Sequence, residues 1–201
     1  MILDPRNMKR ILLCILAMMA LAFEGLAQND AEALDRVISS RRSIRKYTEQ
    51  KVSREVLDRI ISNGLKAPSG MNRQSYEIRI VDDPALLEAI SKTAGNGKKS
   101  IFADAKTVIF IANDTAYDFS QVDCGLLAQN IMLSAKSLGL GTCCMGAPVR
   151  QMKSSKECEP YLGKLGFSKG FDLLISIPIG YPAEQPAPRP RKDNMVKYII
   201  Q

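Results

Sequence analysis

The spacing of apolar and polar residues along this chain predicts more helices than strands. Apolar residues recur at helical spacing in five stretches, the last of them more polar: 30–39, 53–66, 84–93, 120–138 and 148–165. Short alternating or continuous apolar runs predict strands at 76–82, 107–112 and 171–179. The chain shows no repeat and no internal linker. The pattern therefore predicts an α+β fold with a small sheet.

The stretch 120–138 differs from the other helices because it is apolar nearly all round. A helix of this kind is either central in a fold or meets a second subunit with half of its surface. Asp123 follows Ser120 by three residues, which predicts a capping-box start for this helix.

The first 27 residues have the pattern of an export signal. Met8-Lys9-Arg10 is a basic start, Ile11–Phe23 is an apolar run, and Gly25 and Ala27 are small residues where a signal peptidase cuts. The run is shorter than the roughly 20 apolar residues that a membrane span needs. We predict a cleaved signal peptide at 1–27 and a mature domain at 28–201, exported to the bacterial periplasm or cell envelope. After cleavage we expect no stable membrane association.

Two alternatives stay open for this leader, namely an uncleaved anchor and an ordinary helix. Met1 and Met8 are both candidate starts.

Composition restricts the chemistry further. The chain contains no histidine, which excludes a Ser-His-Asp triad, a Cys-His pair and a histidine-ligated metal. We therefore expect a cofactor to carry any catalysis and expect no metal. Removing residues 1–27 takes away three basic and two acidic residues, so the net charge falls from +7 to about +6. That charge suits an anionic ligand. No long basic tract alternates with aromatic residues, so we expect no nucleic-acid partner.

Four cysteines remain after cleavage, at positions 124, 143, 144 and 158. An exported protein can hold disulfides, and that alternative stays open. Cys143 and Cys144 are adjacent, however, and no C-x-x-C occurs. We predict free, mostly buried thiols.

The densest group of cations lies between Ser39 and Tyr47. Arg41, Arg42, Arg45 and Lys46 surround the hydroxyl of Ser43. Forked guanidinium donors suit a phosphate, and the alternative is a solvated basic turn. A second pair, Arg189 and Arg191, lies in the proline-rich stretch 183–191, where an extended backbone directs both to the same side.

From about residue 35 to the end, the chain resembles the FMN-dependent nitroreductase family. The resemblance is carried in order by four segments: RRSIRKY (41–47), APSGMNRQSYEI (67–78), DCGLLAQNIMLSAKSLGLGTCCMG (123–146) and PRPRK (188–192). It implies a small mixed or antiparallel sheet flanked by helices, with the central hydrophobic helix at a homodimer interface.

The resemblance also implies roles for individual residues. In this family, the positions that hold the FMN phosphate, ribityl chain and ring edge match Arg41, Arg42, Ser43 and Arg45. Asn72 matches a hydrogen-bond partner of the flavin ring, with Gln74 beside it. The family positions whose backbone lies near the central flavin ring and flavin N5 match Cys144, Met145 and Gly146. Arg189 and Arg191 match a terminal pair that closes on the phosphate, often across a dimer interface.

The implied activity is ping-pong hydride transfer from NAD(P)H through flavin N5 to a nitroaromatic, quinone or similar small acceptor, without a catalytic side chain. Ser75-Tyr76 stands where the family commonly has Pro-Trp, which leaves the substrate preference open. Export is also unusual for the family and leaves the physiological reductant open.

Three alternatives to this activity remain. One is a specialised flavoenzyme of the same fold, a dehalogenase or dehydrogenase, although residues 113–119 leave little room for the lid of such enzymes. Another is a non-catalytic flavin-binding or carrier protein, and the third is an unrelated anion-binding secreted domain.

Overall fold

The computed structural model describes residues 29–95, 97 and 100–199. The chain divides into two compact units, residues 1–40 and 41–201. In the first unit, residues 29–40 form helix α1, as predicted for 30–39. The predicted signal peptide and its cleavage site lie outside the described residues. Among the described helices, none is both long enough and apolar enough to cross a bilayer.

The second unit is built on a four-stranded antiparallel sheet of strand order β1-β2-β4-β3. The strands are β1 (Tyr76–Val81), β2 (Thr107–Asp114), β3 (Gly141–Thr142) and β4 (Phe171–Gly180). The three long strands confirm the predictions to within two residues. The sequence does not clearly predict β3, which is two residues long, because the stretch 142–145 is compatible with either a short buried edge strand or a loop.

Strand β2 is buried on both faces of the sheet. Because side chains alternate along a strand, successive residues of β2 enter opposite cores. Ile109 and Ile111 belong to a core with helices on one face of the sheet, whereas Val108 and Phe110 belong to a second core on the other face. The apolar run that predicted this strand therefore reflects two separate cores.

The helices of this unit divide between these two cores. Their bounds are α2 (Arg54–Gly64), α3 (Pro84–Ala94), α4 (Ser120–Ser137), α5 (Ala147–Ser154) and α6 (Glu159–Leu165). Two short 3-10 helices lie at Gly70–Asn72 and Lys156–Cys158. Ser53 caps α2 and Asp83 caps α3 through their side-chain oxygens, as polar residues at these positions commonly do.

Helix α4 packs with one side on the sheet and leaves the other side exposed. Cys124, Leu127 and Ile131 are fully buried. Val122 and Leu126 on the opposite side remain 47% and 38% exposed. Within a single chain α4 is therefore central on one face and uncovered on the other.

The predicted capping box of α4 is wrong. Phe119 occupies the N-cap position, and no side chain caps the helix. The hydroxyl of Ser120 instead accepts a hydrogen bond from Asn113 Nδ2 at 3.0 Å. The carboxylate of Asp123 points to the loop that precedes β1.

Residues 183–199 form neither helix nor strand, as their prolines predict for 183–191.

Candidate functional site

The basic segment 41–47 is fixed against the edge of the sheet. Ser43 forms a parallel bridge with Thr142 of β3, and the backbone N–H of Ile44 donates to Thr142 O at 3.0 Å. Ile44 is buried and packs so closely on Gly141 that a Cβ there would lie 2.7 Å from Ile44 Cγ1. The hydroxyl of Tyr47 donates to Ile44 O at 2.6 Å. This segment is therefore held by its backbone pairing, by the buried side chain of Ile44 and by the hydroxyl of Tyr47.

The predicted phosphate ligands on this segment differ in exposure. Arg41, Arg42 and Ser43 are partly buried, whereas Arg45 is exposed. Arg42 Nη1 donates to Arg41 O at 2.9 Å, which orients that guanidinium. The backbone N–H of Arg45 donates to the carboxylate of Glu184 at 2.5 Å. The first three residues thus form a more defined donor group than Arg45 does.

The segment after β3 lies beside the basic segment. Met145 forms an antiparallel bridge with Ser176 of β4, with hydrogen bonds of 2.8 and 3.0 Å. Met145 and Gly146 are partly buried, and Gly146 is the N-cap of α5. Thr142, the bridge partner of Ser43, precedes Cys144 by two residues. The structure therefore brings Arg41–Ser43 and Cys144–Gly146 to one edge of the sheet.

The four cysteines among the described residues are free thiols, and Cys144 is the exposed one of these four. Surrounding protein and, to a smaller extent, Cys143 raise the pKa of the Cys144 thiol. Burial, together with the nearby Asp123, raises the pKa of Cys124 to about 12. Raised pKa values keep thiols protonated and poorly nucleophilic at neutral pH. Among the described residues no group of three or more acidic or cysteine side chains is arranged to hold a metal.

Residues 69–75, here named the Asn72 loop, have an unusual backbone. Met71, Asn72 and Gln74 have φ values of 50°, 54° and 50°, in the left-handed region. Such conformations cost on the order of 1–3 kcal/mol each and persist where the surroundings enforce them, often at functional sites. The side chains of Asn72 and Gln74 are exposed. The loop thus presents two amide side chains at an energetic cost.

Asp123 is a site residue that sequence reasoning missed. Its buried carboxylate accepts hydrogen bonds from the backbone N–H of Gly70 at 2.8 Å and from the hydroxyl of Ser75 at 2.5 Å. One signal was available, because a single acidic residue interrupts the most apolar helix of the chain. Its spacing from Ser120 suggested a helix cap instead.

Tyr117 covers the other side of the Asn72 loop. The guanidinium of Arg73 lies 4.5 Å from the centre of the Tyr117 ring. A Cβ at Gly70 would lie 2.2 Å from the Tyr117 hydroxyl, so only glycine fits there without a shift. Tyr117 and Asp123 therefore both contact the loop, whose Asn72 and Gln74 side chains stay exposed.

The terminal arginines are not brought to the sheet edge within this chain. The backbone after β4 pairs with the basic segment through Thr48 N to Tyr181 O at 2.9 Å and Ala183 N to Lys46 O at 2.8 Å. This pairing ends at Glu184. Arg189 and Arg191 are exposed, and neither forms a hydrogen bond or ion pair with another described residue.

An open cavity of about 700 Å³ lies beside Gly146. Tyr117 lines it on one side, and Arg150 and Lys153 of α5 line it on another. Lys153 forms an ion pair with Asp172, another lining residue. Gly146 therefore lines the same cavity as Tyr117, the residue against which the Asn72 loop packs.

Comparison with known proteins gives a consistent result. The model of the Nitroreductase family matches residues 38–97 and 90–181 of this chain. A protein of Methanothermobacter thermautotrophicus, provisionally named NADH dehydrogenase/NAD(P)H nitroreductase, is 31% identical over 76% of this chain and 78% of its own length. The FMN reductase (NAD(P)H) of Bacillus subtilis is 30% identical over 77% of this chain and 68% of its own length.

The fold also matches solved structures. The crystal structure of a nitroreductase with bound FMN from Desulfitobacterium hafniense superposes with a TM-score of 0.77 at 26% identity. That superposition covers 84% of this chain and 98% of the other.

Proposed function

Because this chain belongs to the nitroreductase family, we propose that it is an FMN-dependent oxidoreductase that uses NAD(P)H to reduce a small acceptor such as a nitroaromatic or a quinone. One observation carries the proposal most directly. The bridge between Ser43 and Thr142 places a cationic segment beside Cys144–Gly146, although about 100 residues separate them. This arrangement supports the proposal of an anion site next to an accessible backbone.

The donors at the sheet edge fit the phosphate of FMN. Arg41 and Arg42 supply charge-assisted donors, and Ser43 adds a hydroxyl. The tight contact of Ile44 with Gly141 fixes this segment before any ligand arrives. A fixed set of donors loses little conformational entropy on binding.

The Asn72 loop fits the polar edge of a flavin ring. The amides of Asn72 and Gln74 can donate and accept hydrogen bonds, as such an edge requires. When bound, the flavin would supply the redox chemistry, since protein side chains do not carry hydride equivalents. The chain's own residues bind and orient the cofactor, and none of them acts as a nucleophile.

Anaerobic reduction tests the proposed activity. Purified protein loaded with FMN should lose its visible flavin absorption when NADH or NADPH is added, and a nitroaromatic or quinone should restore it. Loaded protein that neither nicotinamide reduces would favour a flavin carrier. Failure to take up FMN at all would refute the proposal.

We also propose that the protein acts as a homodimer through the exposed face of α4. Phe119, Val122 and Leu126 remain 45%, 47% and 38% exposed along this face. Gly125 lies between them, and a Cβ there would meet nothing within 4 Å. A glycine inside a helix costs about 1 kcal/mol relative to alanine, and its lack of a side chain permits close approach of another chain.

Light scattering after size-exclusion chromatography tests the dimer. The wild-type protein should have twice the chain mass, whereas Leu126→Glu should be monomeric with weaker FMN binding. Gln151→Glu, an exposed substitution on α5 that adds the same charge away from this face, should remain dimeric. A monomeric wild-type protein that binds FMN tightly would contradict the proposal.

We further propose that the protein is exported and that residues 1–27 are removed. The support is the sequence pattern of Met8–Arg10, the apolar run and Ala27. Mass spectrometry of the protein recovered from expressing cells should give an N-terminus at Gln28. A product that begins at Met1 or Met8 would exclude cleavage.

A further inference from the structure

The buried carboxylate of Asp123 has no role in capping its own helix, and its surroundings suggest another. Its exposure is 0%, and among the described residues no lysine or arginine pairs with it. A buried carboxylate is costly unless hydrogen bonds compensate for the lost water. Both of its oxygens are used, one by Gly70 N–H and one by the Ser75 hydroxyl. Its place in the first turn of α4 adds favourable interaction with the helix dipole.

The two hydrogen bonds of Asp123 fall near opposite ends of the Asn72 loop. Gly70 precedes the residues with left-handed backbone, and Ser75 follows them. One carboxylate therefore ties together the two ends of the six-residue span from Gly70 to Ser75, which contains Met71, Asn72 and Gln74. Left-handed backbone at non-glycine residues persists only where neighbouring structure enforces it. The two hydrogen bonds of Asp123 restrain the loop in this way.

Internal bonds of the loop depend on this closure. Ser69 O accepts from Asn72 N at 3.0 Å, and Ser69 Oγ accepts from Gln74 N at 3.0 Å. The first bond closes a turn at the start of the loop, and the second requires the start and the end of the loop to stay close together. The Tyr117 side gives only a ring contact with Arg73 and a steric limit at Gly70. Asp123 is therefore the one side chain of α4 that bonds both ends of the loop.

We propose that Asp123 is a positioning residue, whose carboxylate, with the Ser75 hydroxyl, holds the Asn72 loop in the conformation that presents Asn72 and Gln74 to the cofactor. The part that concerns the cofactor rests on the proposed function, whereas the part that concerns the loop does not. Asp123 itself is buried beneath the loop and contacts the ligand only through Asn72 and Gln74.

The first test follows the loop in the protein without cofactor. Trypsin cleaves after Arg73, which is exposed in the loop. Under native conditions Asp123→Ala should increase the rate of this cleavage about tenfold or more, because two hydrogen bonds to a charged group are lost. Ser75→Ala, which removes one of the two hydrogen bonds, should have an intermediate effect. It replaces Asp123→Ala in the test if that variant does not fold.

The conservative variant distinguishes positioning from general stability. Asp123→Asn keeps an oxygen to accept from Gly70 and an amide that can donate to Ser75 Oγ. It should restore cleavage to within about twofold of wild type. Asp118→Ala removes an exposed carboxylate two residues before α4 and should leave cleavage unchanged.

The second test measures FMN dissociation constants by quenching of flavin fluorescence. The constants should rise in the same order, with Asp123→Ala highest, Ser75→Ala intermediate, and Asp123→Asn and Asp118→Ala near wild type. Equal cleavage after Arg73 in Asp123→Ala and wild type would overturn the proposal. If the wild-type protein does not bind FMN, the proposed function fails, and the cleavage series still decides the role of Asp123 in the loop.

Discussion

The two arginine-bearing segments of the proposed phosphate site differ in how much of their geometry the chain itself supplies. Residues 41–43 lie on a segment that is held against the sheet by the Ser43–Thr142 bridge, by Ile44 and by the Tyr47 hydroxyl, which donates to Pro178 O of β4 at 3.2 Å. Arg189 and Arg191 lie beyond Glu184, where the pairing of the tail with the basic segment ends. Contacts within the chain hold the first segment before binding, whereas Arg189 and Arg191 are exposed and have no hydrogen bond or ion pair with another described residue. Equal charges in the two segments should therefore contribute unequally to affinity.

The largest effect should come from Arg41→Ala. A hydrogen bond to a charged group contributes about 1.5–3 kcal/mol, so FMN affinity should fall by roughly 10- to 100-fold. Fluorescence titration measures this change. Arg59→Ala, which removes an exposed arginine from α2, should leave the affinity unchanged. Similar affinities for Arg41→Ala and wild type would remove the anchored segment from the site.

Arg189→Ala should have a smaller effect, about tenfold or less, because ordering the tail offsets part of the new interaction. The same titration applies. Because α2–α6 and the sheet do not depend on the tail, the thermal midpoint should remain within about 2 °C of wild type. A loss larger than that of Arg41→Ala would reverse the comparison between the segments.

Tyr47→Phe tests how firmly the anchored segment is held. Loss of the hydrogen bond to Ile44 O should reduce the free energy of unfolding by about 0.5–1.5 kcal/mol at pH 8. The loss should be measured by urea unfolding, with no more than a small change in FMN affinity. An unchanged free energy of unfolding would show that the hydroxyl does not hold the segment.

The pH dependence of this effect has a defined sign. Burial raises the pKa of the Tyr47 hydroxyl above its usual value near 10. Below pH 10 both folded and unfolded states keep the proton, so the stabilising contribution is complete. Above pH 10 the unfolded state loses the proton first, so the contribution decreases as pH rises toward the folded-state pKa. The stability difference between wild type and Tyr47→Phe should therefore be constant below about pH 10 and shrink as the pH rises above it.

Cys144→Ser should have the smallest effect. The proposed role of this position concerns its backbone, and its thiol is protonated because surrounding protein raises its pKa. FMN affinity and the rate of flavin reduction should stay within about twofold of wild type. A tenfold loss in either quantity would assign a function to the thiol itself.

Local pattern was sufficient for most of the fold. The apolar run in β2 predicted a strand, and helical spacing at 53–66 and 84–93 predicted the helices α2 and α3. The two-residue strand β3 was less clear, because its position depends on pairing with β4 and with Ser43. Such long-range pairing leaves little trace in local spacing.

For the candidate site, the sequence predicts which residues take part but only part of their arrangement. The four motif segments marked the arginines, Asn72 and Gly146, whereas their grouping at one sheet edge depends on the Ser43–Thr142 bridge. Asp123 was misassigned because Ser120 and Asp123 have the spacing of a capping box. Its actual partners, Gly70 and Ser75, lie 53 and 48 residues away.

The most direct test of the central claim compares FMN with riboflavin, which lacks the phosphate. Dissociation constants should be measured for wild type, Arg41→Ala and Arg59→Ala. Wild type and Arg59→Ala should prefer FMN by roughly 100-fold, since the phosphate is bound by several charge-assisted hydrogen bonds. Arg41→Ala should lose most of that preference. Equal binding of FMN and riboflavin by the wild-type protein would contradict the assignment of residues 41–43 as a phosphate site.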